Sequence, residues 1–450
     1  MKKTLTKIVV FVLAVVLALS FTGCSKALSA YEIACEEGFT GTKQEWLESL
    51  KGDTGAAGKD GTNAALSADD INSLYEKAKE EGYSGTYLEF LKEYLGGNDC
   101  SAMINQALLQ VVKVSSVFYV STGFYGEKQQ TTLNGAGVFY SVDRANGSAY
   151  VITNYHVVYY KNATTSNKIS NEIYLYLYGG EYEGGKIIAT YVGGSMTYDI
   201  AVLKVENSEV IKQSSATAVT FANTDYVKVG TQVAAVGNPE NDGISASYGI
   251  VSKDSEYVNM TGADDVTSVQ YRCIRVDCAI NHGNSGGGLF AADGMLLGIV
   301  NAKIVEEDVE NMGYAIPANI AKRVAENIMW NAEKNGKECV SKAIMGVTTY
   351  IASSSAVYDN TLGGARIVEK VEVKSVTENS LAANAGVKAG DVVKSLSIDG
   401  TSYEVTRLFH VIDAMFCVRP NTEITMVLDR LGTEVIVKFT VTANDFSDLK

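Results

Sequence analysis

Along the middle of the chain, apolar and polar positions alternate with a period of two. Ile173, Leu175 and Leu177 are separated by Tyr174, Tyr176 and Tyr178, the spacing of a strand with one buried face. Short apolar runs bounded by turn residues recur at 137–142, 149–153, 200–205, 232–236 and 296–300. Many short strands over roughly 200 residues predict an all-β sandwich or barrel. The period then changes. Ile320, Val324 and Ile328 share one face of a helix predicted over 318–335, with Gly336 as its stop. Beyond it, 381–393 reads as a short helix and a Gly-Asp turn into a strand, and Asp399-Gly400 is a tight-turn signal. A second helix is predicted over 406–417, and closing strands at 423–428 and 434–442.

The N-terminal part is patterned differently. Lys2, Lys3 and Lys7 precede an apolar run at 8–19, short of the ~20 residues a membrane-spanning helix needs. Phe21-Thr22-Gly23-Cys24 follows. A small residue directly before Cys resembles a bacterial lipoprotein signal, which implies residues 1–23 as signal peptide and Cys24 as an acylated first residue. An uncleaved anchor is the alternative, and either way the rest lies outside the cytoplasm. Residues 28–97 hold a repeat: the stretch from Tyr31 recurs from Tyr75, each copy a predicted helical hairpin. Ser29, Thr42, Ser67 and Thr86 sit three residues before Glu32, Glu45, Asp70 and Glu89, the capping-box pattern at four helix starts. Gly38 and Gly82 fall where a left-handed residue ends a helix. Between the copies, 52–61 has a collagen-like Gly-X-Y period too short for a triple helix, which reads as a spacer. Such hairpins suit a stalk or interaction module.

Composition narrows the classes. The 450 residues are 46% hydrophobic and 20% charged, as in ordered globular proteins. The net charge of −14, with no basic stripe, argues against nucleic-acid binding. Six cysteines remain after Cys24, with no C-x-x-C pair to suggest zinc. Cys35 and Cys100 form either a disulfide or, with the others, small buried thiols.

The candidate chemistry centres on Gly283-Asn284-Ser285-Gly286-Gly287. Small flanking residues expose a serine hydroxyl and aim backbone N–H groups at one point. Such a hydroxyl needs a base, and the base needs an orienting group. Three histidines compete. His282 lies on the serine's own loop, and His410 lies inside an amphipathic helix, where a structural role is expected. His156 ends the apolar strand 151–155. Asp199, at the lip of the run 200–205, is the acid candidate, because an acid there must be paired.

The order His156, Asp199, Ser285 and the flanking residues resemble the HtrA (Deg) family of serine proteases. Gly135-Ala-Gly-Val138, Thr153-Asn-Tyr-His-Val157, Asp199-Ile-Ala-Val-Leu-Lys204, Gly237-Asn-Pro239, Ser247-Tyr-Gly-Ile-Val-Ser252, Ala279-Ile-Asn-His-Gly-Asn-Ser-Gly-Gly287 and Gly313-Tyr-Ala-Ile-Pro317 carry the resemblance. It implies a mostly β chain: a chymotrypsin-like double β-barrel over 101–317, a linker helix in 318–340 and an α/β PDZ domain over 341–450, after hairpin repeats within 24–100. It implies Ser285 as nucleophile, His156 as base and Asp199 as its orienting acid. The oxyanion hole falls on Gly283, Asn284 and Ser285, with the N–H groups of Gly283 and Ser285 as donors. The specificity pocket falls on Ala279, Val300, Asn301 and Ala302. Ala279 offers no carboxylate, so cleavage after small or medium aliphatic residues is expected. No metal or cofactor is implied.

Two departures stand out. The family has Pro where this chain has His282 and Gly288, which predicts a looser loop, with an oxyanion hole disordered at rest or activity reduced. In the last domain, Ser380-Leu-Ala-Ala-Asn-Ala-Gly-Val-Lys-Ala-Gly-Asp391 resembles a PDZ helix and turn. Ile344, Met345, Gly346 and Val347 would then bind a C-terminal carboxylate, flanked by the strand 365–370 and the helix around 408–414; a small α/β domain without ligand is the alternative. The implied partners are unfolded or misfolded extracytoplasmic proteins, C-terminal peptides and, through the lipid, the cell membrane; the family often forms homotrimers. The rival is a silent protease fold serving as a peptide-binding or chaperone-like surface lipoprotein.

Overall fold

The computed structural model describes residues 35, 40–42, 68–80, 82–87, 90, 100–122, 127–302, 312–360 and 363–449. The predicted signal segment with Cys24 and the spacer at 52–61 lie outside them, as does most of the first repeat. The chain divides into two units, Met1–Tyr83 and Ser84–Lys450. In the first, helix α1 (Ala68–Glu80) is followed by Gly82 at φ +100°, whose N–H bonds Lys79 O at 3.0 Å. A left-handed backbone is what glycine supplies at a helix end.

In the second unit, α2 (Ser101–Leu108) precedes two closed six-stranded barrels. The first comprises β1 (Val111–Thr122), β2 (Glu127–Asp143), β3 (Ser148–Thr153), β4 (Glu172–Leu177), β5 (Ile187–Ser195) and β6 (Ile200–Val205). The second comprises β7 (Gln232–Gly237), β8 (Ser245–Thr261), β9 (Ser268–Val276), β10 (Gly288–Ala291), β11 (Leu296–Val300) and β12 (Gly313–Pro317). Strand alternation explains which runs were apolar throughout. Ala201, Leu203 and Val205 fill the first barrel, while Ile200 and Val202 point out into a core shared with the second. Val233 and Ala235 fill the second barrel, and Ala234 and Val236 face the shared core. Strands buried on both faces lose their polar positions. On β4, Ile173 and Leu175 are buried while Tyr174 and Tyr176 are half-buried, so the alternation survives there.

Helix α4 (Ala318–Asn335) follows directly from β12; the label α3 is kept for the single turn Tyr155–Val158 after β3. Ile320, Val324 and Ile328 of α4 are fully buried, each contributing about 1.5–3 kcal/mol of hydrophobic stabilisation. Gly336 ends the helix at φ +63°, the stop expected from sequence. On its other side α4 meets the C-terminal region, where Asn327 Nδ2 donates to Ser341 O at 2.9 Å and Phe416 O at 3.2 Å.

The C-terminal region has its own core. Strands β13 (Val340–Ala343) and β20 (Phe446–Leu449) pair with each other. The main sheet runs β14 (Val347–Asp359), β15 (Gly364–Val376), β16 (Val392–Ile398), β18 (Glu423–Arg430), β19 (Thr433–Thr440), with β17 (Thr401–Glu404) on β16. Helices α5 (Leu381–Asn384) and α6 (Leu408–Ala414) complete it. The single helix expected over 406–417 is α6 continued by a 3₁₀ turn, Met415–Cys417. Of the cysteines, Cys35 is exposed and Cys273 and Cys278 are buried.

Candidate active site

The cleft residues come from turns at strand ends. Helix turn α3 begins just after β3, and a first-turn N–H has no partner within its helix. Asp199 supplies one. It closes the turn from β5 into β6 with φ +50°, a left-handed backbone that Asp tolerates better than most residues. Its Oδ1 accepts from the His156 N–H at 3.0 Å, and its Oδ2 lies 2.7 Å from His156 Nδ1. One carboxylate therefore caps the helix turn and sets the ring. Asp199 is 6% exposed, a burial that an acid tolerates only when its oxygens are satisfied. Its main-chain carbonyl also accepts from Asn154 Nδ2 at 2.8 Å. With Oδ2 accepting at Nδ1, the ring proton sits on Nδ1 in the neutral form, and Nε2 is left free to take a proton.

Ser285 lies on the loop between β9 and β10, in the other barrel. The loop is tied to both barrels: Ser285 O accepts from the Ala136 N–H at 2.8 Å, and the Gly286 N–H donates to Val300 O at 2.9 Å. Gly283, at φ +92°, has no room for a side chain, since a Cβ there would come within 2.1 Å of Asn238 O. Among the described residues the Gly283 and Ser285 N–H groups have no backbone acceptor, whereas the Asn284 N–H donates to Asn281 O at 3.1 Å. Asn284, expected in the oxyanion hole, thus has no free N–H to offer and helps only to shape the turn.

The two positions that depart from the family's prolines have different surroundings. Gly288 is buried in the ladder, paired with Ile299 on one side and Val236 on the other. A Cβ there would meet the Phe290 ring at 2.3 Å, so this glycine serves packing. At the other departure the exposed His282 has its carbonyl held by the Glu240 N–H at 2.8 Å.

The four residues expected to form a specificity pocket separate into different positions. Ala279 is exposed, its carbonyl accepting from Ser247 Oγ at 2.7 Å. Val300 is fully buried inside the second barrel. Asn301 faces the acid instead: Nδ2 donates to Asp199 Oδ2 at 2.8 Å and to Tyr271 OH at 2.7 Å. The Ala302 N–H donates to Ser285 Oγ at 3.2 Å. Consecutive residues thus touch the acid and the serine, which places both in one site. No hydrogen bond joins Ser285 Oγ to His156 among the described residues, so the hydroxyl must rotate away from Ala302 to reach the base. Sequence reasoning missed the links made by Asn154, Asn301 and Tyr271; strand alternation around Val300 was the one available hint that Asn301 turns to the opposite side.

Outside the cleft, the third histidine is buried at the junction with the C-terminal region. His410 Nδ1 accepts from the Thr406 N–H at 3.3 Å, and Nε2 has no partner among the described residues. Burial pushes its pKa down to about 4, opposed by the Asp225 charge and reinforced by Arg272 and Arg407. In the C-terminal sheet, 365–370 pairs with the edge strand β14 on one side; β15 meets β16 at Glu372, and the Glu369 N–H donates to Thr406 O at 2.8 Å, just before α6. Of the four expected carboxylate-binding positions, the Ile344 N–H already donates to Asp445 O at 2.8 Å. Met345 is buried, Gly346 has φ +78° and Val347 begins β14.

Residues 135–299 match the family model of the trypsin-like peptidase domain. The chain is similar to the serine protease Do-like HtrA of Bacillus subtilis (strain 168), 32% identical over 301 residues that cover 66% of this chain and 61% of that protein. It is similar to the periplasmic serine endoprotease DegP of Escherichia coli (strain K12), 33% identical over 276 residues, 60% of this chain and 50% of that protein. The chain thus spans about half to three fifths of the length of these two relatives. A solved structure titled HtrA-type protease AlgW with tripeptide superposes with a TM-score of 0.48 and 25% identity, covering 76% of this chain and 97% of that one.

Proposed function

We propose, for a chain that carries a trypsin-like peptidase domain homologous to the HtrA and DegP serine proteases, that it is itself a serine endopeptidase working through an acyl-enzyme. The observation that carries this reading is the Asp199–His156 pair on one barrel, with Ser285 on a backbone-tied loop of the other. In the proposed cycle, Ser285 Oγ leaves the Ala302 N–H and attacks the scissile carbonyl. His156 Nε2 takes its proton and returns it to the leaving amine. Asp199 holds the ring and stabilises its charged form. The N–H groups of Gly283 and Ser285 bind the developing oxyanion, each worth about 3–4 kcal/mol in such enzymes.

The finer assignment belongs to the same proposal. Substrates are unfolded or misfolded extracytoplasmic proteins, cut after small or medium aliphatic residues. The C-terminal region acts as a PDZ domain, adding a peptide strand along the outer edge of β14 beside α6, with Met345, Gly346 and Val347 at the carboxylate end. Cys24 carries the lipid anchor, and the chain assembles as a trimer. Palmitate incorporation that is lost in Cys24→Ala would support the anchor.

A fluorophosphonate probe tests the activity. The wild-type chain, with unfolded casein present, is expected to label and to cleave, and both to vanish in Ser285→Ala. No labelling of the wild type, with or without a C-terminal peptide, would sink the proposal.

A further inference from the structure

We propose that Tyr271, on β9, is a positioning residue for the acid Asp199, acting through the Asn301 amide; this rests on the protease reading of the cleft. The Asn301 NH₂ group has two hydrogens, and both are used. One goes to Asp199 Oδ2 at 2.8 Å and one to Tyr271 OH at 2.7 Å. An amide donating both hydrogens is fixed in plane, and it fixes what it touches. Tyr271 and Asn301 are at most 1% exposed and Asp199 6%, so water does not compete for these bonds. Burial and the nearby Asp199 charge hold the Tyr271 phenol well above its ordinary range, which keeps it a neutral partner at every working pH. The acid is therefore oriented from two directions: by His156 on its own barrel, and by a Tyr–Asn chain from the second.

The strand that bears Tyr271 is anchored by its next residue. Side chains alternate along β9, so Tyr271 faces the shared core and Arg272 the opposite way. There Arg272 Nη2 lies 2.8 Å from Asp413 Oδ2 of α6, and its guanidinium stacks 3.8 Å above the Phe409 ring. Tyr271 thus sits at a point of the strand pinned on both faces, as a positioning group must.

Removing the phenol oxygen leaves the Asn301 amide free to turn, and the carboxylate loses its fixed donor. Tyr271→Phe in the full chain is expected to lower kcat per fluorophosphonate-titrated site by about tenfold, with KM within about twofold, the scale of one charge-assisted hydrogen bond made through an intermediary. Asn301→Leu, which keeps the volume and removes the amide, should do the same. Tyr271→Phe added to Asn301→Leu should cost nothing further, because two residues acting in one chain are not additive. Cys273→Ala, on the same strand and facing the same core, is the control: it should lower thermal stability and leave kcat per labelled site unchanged.

A readout independent of turnover is the downfield proton resonance of His156 Nδ1–H, identified by its loss in His156→Ala. It should move in Tyr271→Phe and in Asn301→Leu, and stay in Cys273→Ala. Unchanged kcat in Tyr271→Phe, multiplicative losses in the double variant or an unmoved resonance would each overturn the inference. A wild type that neither labels nor cleaves would instead refute the protease reading, and the resonance would still decide whether Tyr271 positions the acid.

Discussion

At two seams of the molecule a histidine lies near acidic groups, half-buried at one and buried at the other. At the seam between the barrels, Asp199 receives three donors: the His156 N–H, His156 Nδ1–H and Asn301 Nδ2. At the seam with the C-terminal region, partners are missing. Among the described residues, Arg272 Nε and Nη1, His410 Nε2 and Asp225 Oδ1 are buried without one, although Arg272 meets Asp413 at 2.8 Å and Arg407 meets Asp254 at 2.6 Å. The first seam is over-determined, and the second is held by charges that are individually costly to bury. Enclosing polar groups therefore has opposite meanings: orientation where the acid's oxygens are satisfied, and sensitivity to added protons or lost partners where groups are left unpaired.

The comparison is tested hardest at its satisfied end. Asp199→Asn keeps the turn, since Asn also accepts a left-handed backbone, but presents the wrong hydrogen-bonding face to His156. Turnover is expected to fall by about 10⁴ while the melting temperature moves little; steady-state kinetics and calorimetry on one preparation would check both. At the other seam, Asp413→Ala should cost about 3–5 kcal/mol in urea unfolding, because it strands a buried guanidinium. The double replacement Arg272→Met, Asp413→Leu should recover most of that. If the single variant costs under about 1 kcal/mol, the pair is not holding the joint.

The smallest effect concerns pH. The folded pKa of His410 lies near 4, below the ~6.5 of an unfolded histidine. Its contribution is thus fully present above pH ~6.5 and is lost as pH falls towards 4, where the unfolded chain binds the extra proton. Asp225 favours that proton, and Arg272 and Arg407 oppose it. His410→Gln should flatten the stability profile between pH ~6.5 and 4 and leave the profile above it unchanged; an identical slope in both proteins would remove His410 from the account.

Much of this was legible in the sequence, and what was not has a common cause. Apolar runs at 200–205 and 232–236 revealed strands because both barrel faces are covered. The α4 pattern with its glycine stop named a helix to the residue. His156 and Asp199 could be matched as a pair by elimination among three histidines. The bonds of Asn301 could not be read, because its partner Tyr271 comes from a strand 30 residues earlier in the chain, and only the closed barrel brings them together. The packing of Gly288 was hidden for a similar reason: composition describes its freedom in an open chain, while Phe290 decides the space it has in the ladder. Strand β20, too short and mixed to announce itself, is defined by its partner β13.

The left-handed backbone at Asp199 has a further consequence, for how such a site decays under drift. At φ +50° the main chain admits few residue types cheaply, chiefly Gly, Asn and Asp. Catalysis, independently, accepts only a carboxylate. Asp is the one member common to both sets, so the codon is under two unrelated filters. When selection on chemistry relaxes, the backbone filter remains, and the tolerated substitutes are Asn and Gly. A lineage that loses turnover would thus keep its barrels and its strand register, and carry its history in a single side chain.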